Sequence, residues 1–503
     1  MSTETRKEKK LRNYKIKKAL LISGIALLAV QLVATVVFMV ILSKVRIVPK
    51  DYVIMIDVLL VLILTVVTIT QRWVLPGIIT KIISLLLSVV LIVGSVYLNA
   101  TYGAFKKATD INYTTTSLNV YVRADSKYEK LEDVKSEEFG IMKSLDRENT
   151  DEVVNKIQTE IDTTIKTKEY DDVQSLVKAL YDKEVNVIIL GTSHLGILDS
   201  LDEFKDFKTF TKVIASYEMK KDIKNNDKKD DDYLNSDNVV TLYLSGIDVD
   251  GPPTENRNSD VNIIMTLNTS TGQILLLNTP RDYYVPTSVS NGEPDKLTHA
   301  GCYGIDCSVE TLEMLYGINI DYYIKLNFTG FKSIIDSLHG VDVYSEFEFT
   351  SQNVKGYHFV QGYNHMDGEA ALVFSRERYS FPTGDNQRGK NQMAVVNAVV
   401  KKLASSELLK NYTEVLDSIS SSMVTDMSMD EIARLVDIQL KKNISWDIVQ
   451  FAVTGSNGNL PCYSLKSPNY VMIPDDAVVG QAKTYLKKIH DNERVVLSLI
   501  HIS

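Results

Sequence analysis

Cysteine is scarce, with three in 503 residues. So few cannot frame a chain of this length, and a small disulfide scaffold is excluded. A P-loop, a GxGxxG turn, an HExxH pair and a GxSxG elbow are all missing. With them go the usual signatures of nucleotide-driven, zinc-dependent and serine-hydrolase chemistry. His299, His339, His358 and His365 are scattered and read as structural. The informative shortage is arginine, 13 against 42 lysines. Apolar residues, in contrast, make up 45% of the chain. That is too many for disorder, and at roughly 100–200 residues per domain the length suggests two or three soluble domains.

The net charge of −9 sums two unlike parts. Residues 1–103 carry 13 basic and 4 acidic side chains, and residues 104–503 carry 42 and 60. A basic tail (1–18) precedes apolar runs at 19–42, 52–70 and 73–98. Each is long enough to cross about 30 Å of hydrocarbon as a helix, so residues 19–98 are read as three transmembrane helices. The length of the first run and the two further spans argue against a cleaved signal peptide. Lysine and arginine bias puts the tail in the cytoplasm, opposed by Lys44, Arg46 and Lys50 in the first loop. Three crossings then place everything after about residue 100 outside the cell, as a multi-pass protein of the cell membrane. Asp57 and Lys81 lie within reach of helix ends and are expected to snorkel. The tail, flush with the bilayer, has no fold with which to read bases, so no nucleic-acid partner is expected.

Residues 104–235 read as a small α/β accessory domain. A strand at 117–123 puts Leu118, Val120 and Val122 on one face, and 153–161 and 171–183 have helical spacing. The apolar run 185–190 reads as a buried strand. The charge-dense stretch 220–238 is a linker. Residues 239–503 continue with a strand at 239–246 and a hairpin, 261–268 with 273–278, turning through Thr269–Gly272. Helices follow at 308–316 and 328–338, the second stopping on Gly340. The rest reads as a strand at 371–378, helices at 391–403, 414–422 and 430–441, and strands near 448–453. The fold class is therefore α/β: three membrane helices, a small α/β domain, and a mixed α/β domain whose central sheet is flanked by helices. Cys302 and Cys307, five apart, could form a disulfide with Cys462 left over; geometry decides.

Residues 257–388 reverse the arginine shortage, with five arginines (257, 281, 376, 378, 388) and four lysines. Arginine differs from lysine in a planar fork of donors that grips phosphate or carboxylate with two parallel hydrogen bonds. On a strand, Ser375-Arg-Glu-Arg378 would aim Arg376 and Arg378 at one side, where two cations repel unless an anion lies between them. The alternative is a pair of surface arginines bonded to Glu377 and other carboxylates. Asp248 ends one strand and Asp260 opens the next, so both can lie at one edge of the sheet. Two carboxylates with phosphate oxygens and waters are how Mg²⁺ is usually held.

These residues fall into ordered motifs: Ser245-Gly-Ile-Asp248, Arg257-Asn-Ser-Asp260, Asn278-Thr-Pro-Arg-Asp282, Lys296-Leu-Thr-His-Ala300, Gly340-Val-Asp-Val343, Ser375-Arg-Glu-Arg378, and Asp385-Asn-Gln-Arg388 with Asn391-Gln392. Their order and spacing resemble the LytR-CpsA-Psr family over residues 239–403, the motif core of the 239–503 domain. The three-helix anchor and intervening domain resemble its capsule-associated CpsA branch. The resemblance implies a membrane-anchored, Mg²⁺-dependent phosphotransferase acting at the outer membrane face. It would move a glycopolymer, capsular polysaccharide, from an undecaprenyl-pyrophosphate carrier to peptidoglycan, with other capsule-assembly proteins as candidate partners. It also implies roles: Arg281, Arg376, Arg378 and Arg388 clamping the pyrophosphate, Arg257 and Gln392 nearby, Asp248 and Asp260 on the metal, and Asp385 as candidate base. Asn278-Thr-Pro departs from the Ser-Ile-Pro-like run more common in the family. The competing reading is a membrane-anchored regulator of capsule expression that binds polyprenyl phosphate without turnover. Deleting residues 2–15 separates the two, because only a regulator should then lose its effect.

Overall fold

The computed structural model of the chain describes residues 6–44, 50–71, 73–109, 113–199, 201–223, 238–248, 253–405 and 423–497. The helix expected at 414–422 and most of the expected linker lie outside the described residues. The chain divides into two compact units, Met1–Lys107 with Met427–Asn443, and Ala108–Asp426 with Ile444–Ser503.

The first unit holds α1 (Arg6–Lys44), α2 (Lys50–Thr70) and α3 (Val74–Thr109). Within them Lys17–Lys44, Asp51–Thr70 and Leu75–Ala100 are long and apolar enough to cross a membrane. Large apolar side chains such as Ile25, Val33, Val90 and Val93 are exposed, as contact with lipid requires. Gln31 is fully buried and accepts a hydrogen bond from Ser84 Oγ at 2.6 Å, tying α1 to α3. Asp57 departs from the snorkelling expectation. Its Oδ1 is buried with no hydrogen-bond partner among the described residues. The helix Met429–Lys442 belongs to this unit, starts on a Ser428–Glu431 capping box, and brings Lys441 Nζ to 2.9 Å from Asp51 Oδ2.

The second unit contains two large sheets, beside four two-stranded ones among the described residues. The smaller comprises β1 (Tyr113–Arg123), β2 (Glu138–Met142), β3 (Lys166–Tyr170), β4 (Val187–Gly191) and β5 (Thr211–Asp222), in the order β3-β2-β4-β1-β5. Successive β4 side chains point to opposite faces. Val187 and Ile189 pack with Val153 and Ile157 of α4 (Arg147–Glu160), whereas Ile188 and Leu190 pack with Leu176 and Leu180 of α5 (Val173–Tyr181). A strand covered on both faces has no polar side, hence its unbroken apolar run.

The larger sheet uses β6 (Val239–Ile247), β7 (Ser259–Asn268), β8 (Gln273–Asn278), β9 (Tyr322–Leu326), β12 (Met423–Thr425) and β13 (Asp447–Ala452), in the order β12-β9-β6-β7-β8-β13. β9 runs parallel to β6 and β13 parallel to β8, while β7 is antiparallel to both β6 and β8. Tyr243, Ile264 and Leu277 pack against α6 (Ile305–Tyr316) and a helix at Asp476–His490. A separate apolar cluster joins α7 (Phe328–Ser337), the hairpin strands β10 (Val341–Ser345) and β11 (Gly362–Met366), α8 (Gly368–Arg376) and α9 (Asp385–Leu403). The β7–β8 turn closes on Gly272, at φ 65°, with Asn268 Oδ1 accepting from the amides of Ser270 and Thr271.

Residues 371–378 do not form the expected strand. Gly368–Arg376 is helical, with Asp367 Oδ1 accepting from Ala370 N, and the chain leaves the helix at Glu377. Four consecutive apolar residues suit a buried helix turn as well as a strand, and here the N-cap decides. The three cysteines are free and buried. Cys302 Sγ lies 3.1 Å from Ser193 O and 3.0 Å from Asn258 Oδ1, so no 302–307 bridge is formed.

Candidate active site

The end of β6 and the start of β7 share one edge of the larger sheet. Ile247 pairs with Ser259 after a register shift at Gly246, and this brings Asp248 and Asp260 to the same end. Close packing holds the Arg257–Ser259 loop there: a Cβ on Gly301 would lie 2.4 Å from Arg257 O. Arg281 follows β8 and places Nη1 2.6 Å from Asp260 Oδ2, while Thr298 Oγ1 donates to Asp260 Oδ1 at 3.3 Å. Lys296, nearly buried, sets Nζ 3.3 Å from Asp282 Oδ1, and Arg281 Nε is 3.9 Å from the same carboxylate.

The last turn of α8 brings Arg376 to this edge. Its Nη2 lies 3.5 Å from Asp248 Oδ2, and its guanidinium rests 4.4 Å above the Phe328 ring. Glu377 does not pair with either arginine. It is fully buried and accepts from Ser351 Oγ at 2.6 Å and from the backbone amides of Gln352, Asn353, Arg378, Tyr379 and Ser380. Burial raises the Glu377 carboxyl, but these donors outweigh it and hold it below the usual range. With the helix ending there, Arg378 does not share a face with Arg376; it stacks on and donates to Tyr379.

At the N-terminus of α9, Asp385 Oδ1 lies 2.5 Å from Arg388 Nη2. Gln387 donates to Asn391 Oδ1 at 3.1 Å, and Gln392 is buried. The helix reaches the sheet only because residue 389 is glycine. A Cβ there would lie 2.2 Å from Asn278 Nδ2. Gly389→Ala is therefore expected to cost about 1–3 kcal/mol by overpacking, read as a lower thermal midpoint. An unchanged midpoint would show that the helix has room to move.

Four basic side chains (Arg281, Arg376, Arg388, Lys296) and four carboxylates (Asp248, Asp260, Asp282, Asp385) form one electrostatic group. Burial and Asp260 raise the Asp248 carboxyl against the pull of Arg376, Arg281 and Arg388. Burial likewise raises Asp385, with Asp282 and Asp260 adding to it and Arg388 and Arg281 opposing. Burial disfavours the Arg281 cation, but Asp260, Asp282 and Asp385 overcome this and keep it charged. The donor set suits a hard divalent cation: carboxylate oxygens that repel one another, two of them raised by burial. Among the described residues no group of three or more His, Cys, Asp or Glu side chains forms a metal cage. A cation held here would take most of its ligands from substrate oxygens and water, as Mg²⁺ commonly does.

Arg257 lies apart from this group, bonded to Glu255 Oε1 at 2.7 Å and Thr192 O at 2.6 Å. Asp295, His299 and Ser464 meet in the core, but Asp295 and Ser464 both approach His299 Nδ1, at 2.7 and 2.8 Å. A hydrolytic triad needs them on opposite ring nitrogens, so this trio is structural. Asp282, Lys296 and Tyr470 were not singled out by sequence. The first two stand inside the quoted motifs, where an acid beside Arg281 was the available signal. Tyr470, whose hydroxyl is raised by burial and by the fields of Asp282 and Asp385, carried none.

A cavity of about 980 Å³ along α9 is lined by Tyr344, Tyr363, Phe451 and Val478, with Glu346 and Lys390 among its charged residues. Gln387 and Asp385's neighbour Asn386 line it, whereas Arg281, Arg376 and Arg378 do not.

Fold and site together define a protein with three apolar helices and an α/β body that presents interleaved arginines and aspartates at one sheet edge. The profile of the LytR_cpsA_psr family matches residues 207–486, more than half the chain, and the chain belongs to that family. A profile described as DNA polymerase processivity factor matches residues 77–190, a likeness only. A protein of Bacillus mycoides named polyisoprenyl-teichoic acid–peptidoglycan teichoic acid transferase TagU is 38% identical over 194 residues, 38% of this chain and 62% of the relative. Its Enterococcus faecalis namesake is 34% identical over 210 residues, 41% of this chain and 68% of the relative. The chain thus spans about 62% of the length of the first of these relatives. The crystal structure of B. subtilis TagV aligns with a TM-score of 0.44 at 25% identity, covering 51% of this chain and 98% of that one.

Proposed function

We propose that the chain transfers a glycopolymer from a polyisoprenyl-pyrophosphate carrier to peptidoglycan at the outer face of the membrane. The observation that carries this reading is the arginine–aspartate cluster at the β6–β7 edge, built for a multiply charged anion. Names of similar proteins that refer to teichoic acid transfer support the class. Capsular polysaccharide is the polymer we infer, from the three-helix anchor and the additional α/β domain.

In the proposed reaction an acceptor hydroxyl attacks the phosphorus next to the glycan. The bridging P–O bond breaks, and polyisoprenyl monophosphate leaves. Arg281, Arg376 and Arg388 hold the diphosphate oxygens and stabilise charge that grows on the departing phosphate. Arg378 adds a cation at the rim. Asp385, raised by burial and its acidic neighbours, is suited to take the acceptor's proton. Asp248 and Asp260 would hold Mg²⁺, which supplies positive charge to the diphosphate. The need for it follows from four cations facing four carboxylates: a dianionic substrate would leave the site net negative. The cavity along α9 is where the isoprenoid chain is proposed to lie.

Purified full-length protein with lipid-linked glycan, Mg²⁺ and peptidoglycan should yield a covalent glycan adduct. If Arg281→Ala and Arg376→Ala variants transfer as well as the parent, the site is misassigned. Cation binding should also depend on acidity, because Asp248 must lose its proton to bind a metal. Mn²⁺ affinity, followed by paramagnetic resonance, should fall as pH drops through the range just above the ordinary carboxylate value. Asp248→Asn should flatten that dependence; an affinity independent of pH in the parent would contradict it.

A further inference from the structure

Asp260 sits at the register shift between β6 and β7. Gly246 pairs with Val261 and Ile247 with Ser259, so Asp260, between them, has no ladder partner. A bulged residue is aimed by the chain that leads into it rather than by the ladder, and bulges re-aim side chains in this way. Whatever holds residues 254–258 therefore bears on where this carboxylate points. Much of that hold comes from the smaller sheet. Thr115 of β1 donates its N–H to Thr254 O and accepts from Asn256 N, both at 2.9 Å, and Asn256 Nδ2 donates to Thr116 Oγ1 at 3.0 Å. The turn after β4 adds a second tie. Arg257 donates from Nη1 to Thr192 O at 2.6 Å and from Nη2 to Glu255 Oε1 at 2.7 Å, and Thr192 Oγ1 donates to that same Oε1 at 3.2 Å. Three side chains and one carbonyl close a ring across the two parts. Lys325 of β9, 2% exposed, donates from Nζ to Glu255 O at 2.7 Å and fixes the segment to the larger sheet as well.

Both terminal nitrogens of Arg257 are committed, and its side chain is only 22% exposed. The fork that could grip a phosphate already holds a carboxylate and a carbonyl, which suits it to bracing a loop. We propose that Arg257 is a positioning residue: by bridging Thr192 and Glu255 it uses the smaller domain as a brace that sets the direction of Asp260. The smaller domain is thereby part of the transferase site, although it supplies no side chain to the arginine–aspartate cluster. This inference rests on the reading of Asp248 and Asp260 as the carboxylates that hold Mg²⁺.

The test follows Mn²⁺ binding to the full chain in detergent by paramagnetic resonance, without substrate and with Asp260→Asn as the background. Arg257→Ala should weaken Mn²⁺ about tenfold, the lower end of what losing a supporting contact costs a metal site. Arg257→Lys keeps a charge beside Glu255 but cannot also bridge to Thr192, so it should recover only part of the affinity. Thr192→Val removes one hydroxyl from the smaller domain. It should weaken Mn²⁺ about threefold with little change in thermal midpoint, and add nothing further when combined with Arg257→Ala. Should Arg257→Ala fail to fold, Arg257→Lys and Thr192→Val decide the matter. A parent that binds Mn²⁺ no better than Asp260→Asn removes the metal reading and this inference with it. Binding that is lost in Asp260→Asn but unchanged in the Arg257 and Thr192 variants overturns this inference alone. So does a lower midpoint with unchanged Mn²⁺ affinity, which marks a purely structural tie, or weaker binding of inorganic diphosphate with unchanged Mn²⁺ affinity, which marks a phosphate clamp.

Discussion

Arg281→Ala is expected to lower the proposed glycan transfer by roughly 10²–10³-fold, the usual cost of removing one preorganised donor aimed at developing charge. Arg281 is the most enclosed arginine at the β6–β7 edge that also touches a proposed metal-holding carboxylate, with Nη1 2.6 Å from Asp260. Its removal subtracts a phosphate donor and also leaves Asp260 facing Asp248 and Asp385 with less compensation. Arg281→Lys separates these effects. The charge stays but the planar fork is lost, so transfer should recover only in part. Arg494→Ala is the control. Its pair with Asp447 is half exposed, and such pairs contribute about 0–1 kcal/mol. Transfer assays of the three variants, with thermal midpoints alongside, check the prediction; equal rates for Arg281→Ala and the parent would contradict it.

Glu377→Ala is the second large effect, and it concerns stability first. One buried carboxylate gathers a serine hydroxyl and five backbone amides, fixing residues 351–353 against 378–380. Its loss strands those donors and should cost on the order of 4 kcal/mol, well above a typical substitution. Glu377→Gln keeps the volume but turns an amide nitrogen toward amide donors, so it should be nearly as harmful. The pH dependence has a definite sign. The folded carboxyl is held below its ordinary value, so its contribution is full above the unfolded pKa and is lost as pH falls through the folded one. Denaturant unfolding at neutral and acidic pH should show Glu377→Gln losing less stability on acidification than the parent. Transfer should fall too, because Arg376 and Arg378 flank the residue.

The elements legible in the sequence were those whose pattern survives burial. Three long apolar runs announce α1 to α3, and the alternation of Leu118, Val120 and Val122 announces β1. The hairpin around Thr269–Gly272 follows from its turn residues. The stretch 371–378 was ambiguous because Ala371–Phe374 is too short to show a period, although Asp367 before Gly368-Glu369 was a usable helix start. The strand pair β14 (Gly455–Leu460) and β15 (Asn469–Pro474) carries Tyr470 but is largely solvated, so its first strand has no apolar alternation to read. Charges in the site motifs were visible one by one. Their pairing was not, since Arg376 with Asp248 and Arg281 with Asp260 join residues brought together only by sheet register and the C-terminal end of α8.

The most direct measurement is the product balance of a single turnover: lipid-linked glycan, Mg²⁺, peptidoglycan and the full-length protein, resolved by mass spectrometry. The account predicts one polyisoprenyl monophosphate released for each phosphodiester formed between glycan and peptidoglycan. Release of intact polyisoprenyl pyrophosphate, or binding of the lipid with no product, would contradict it.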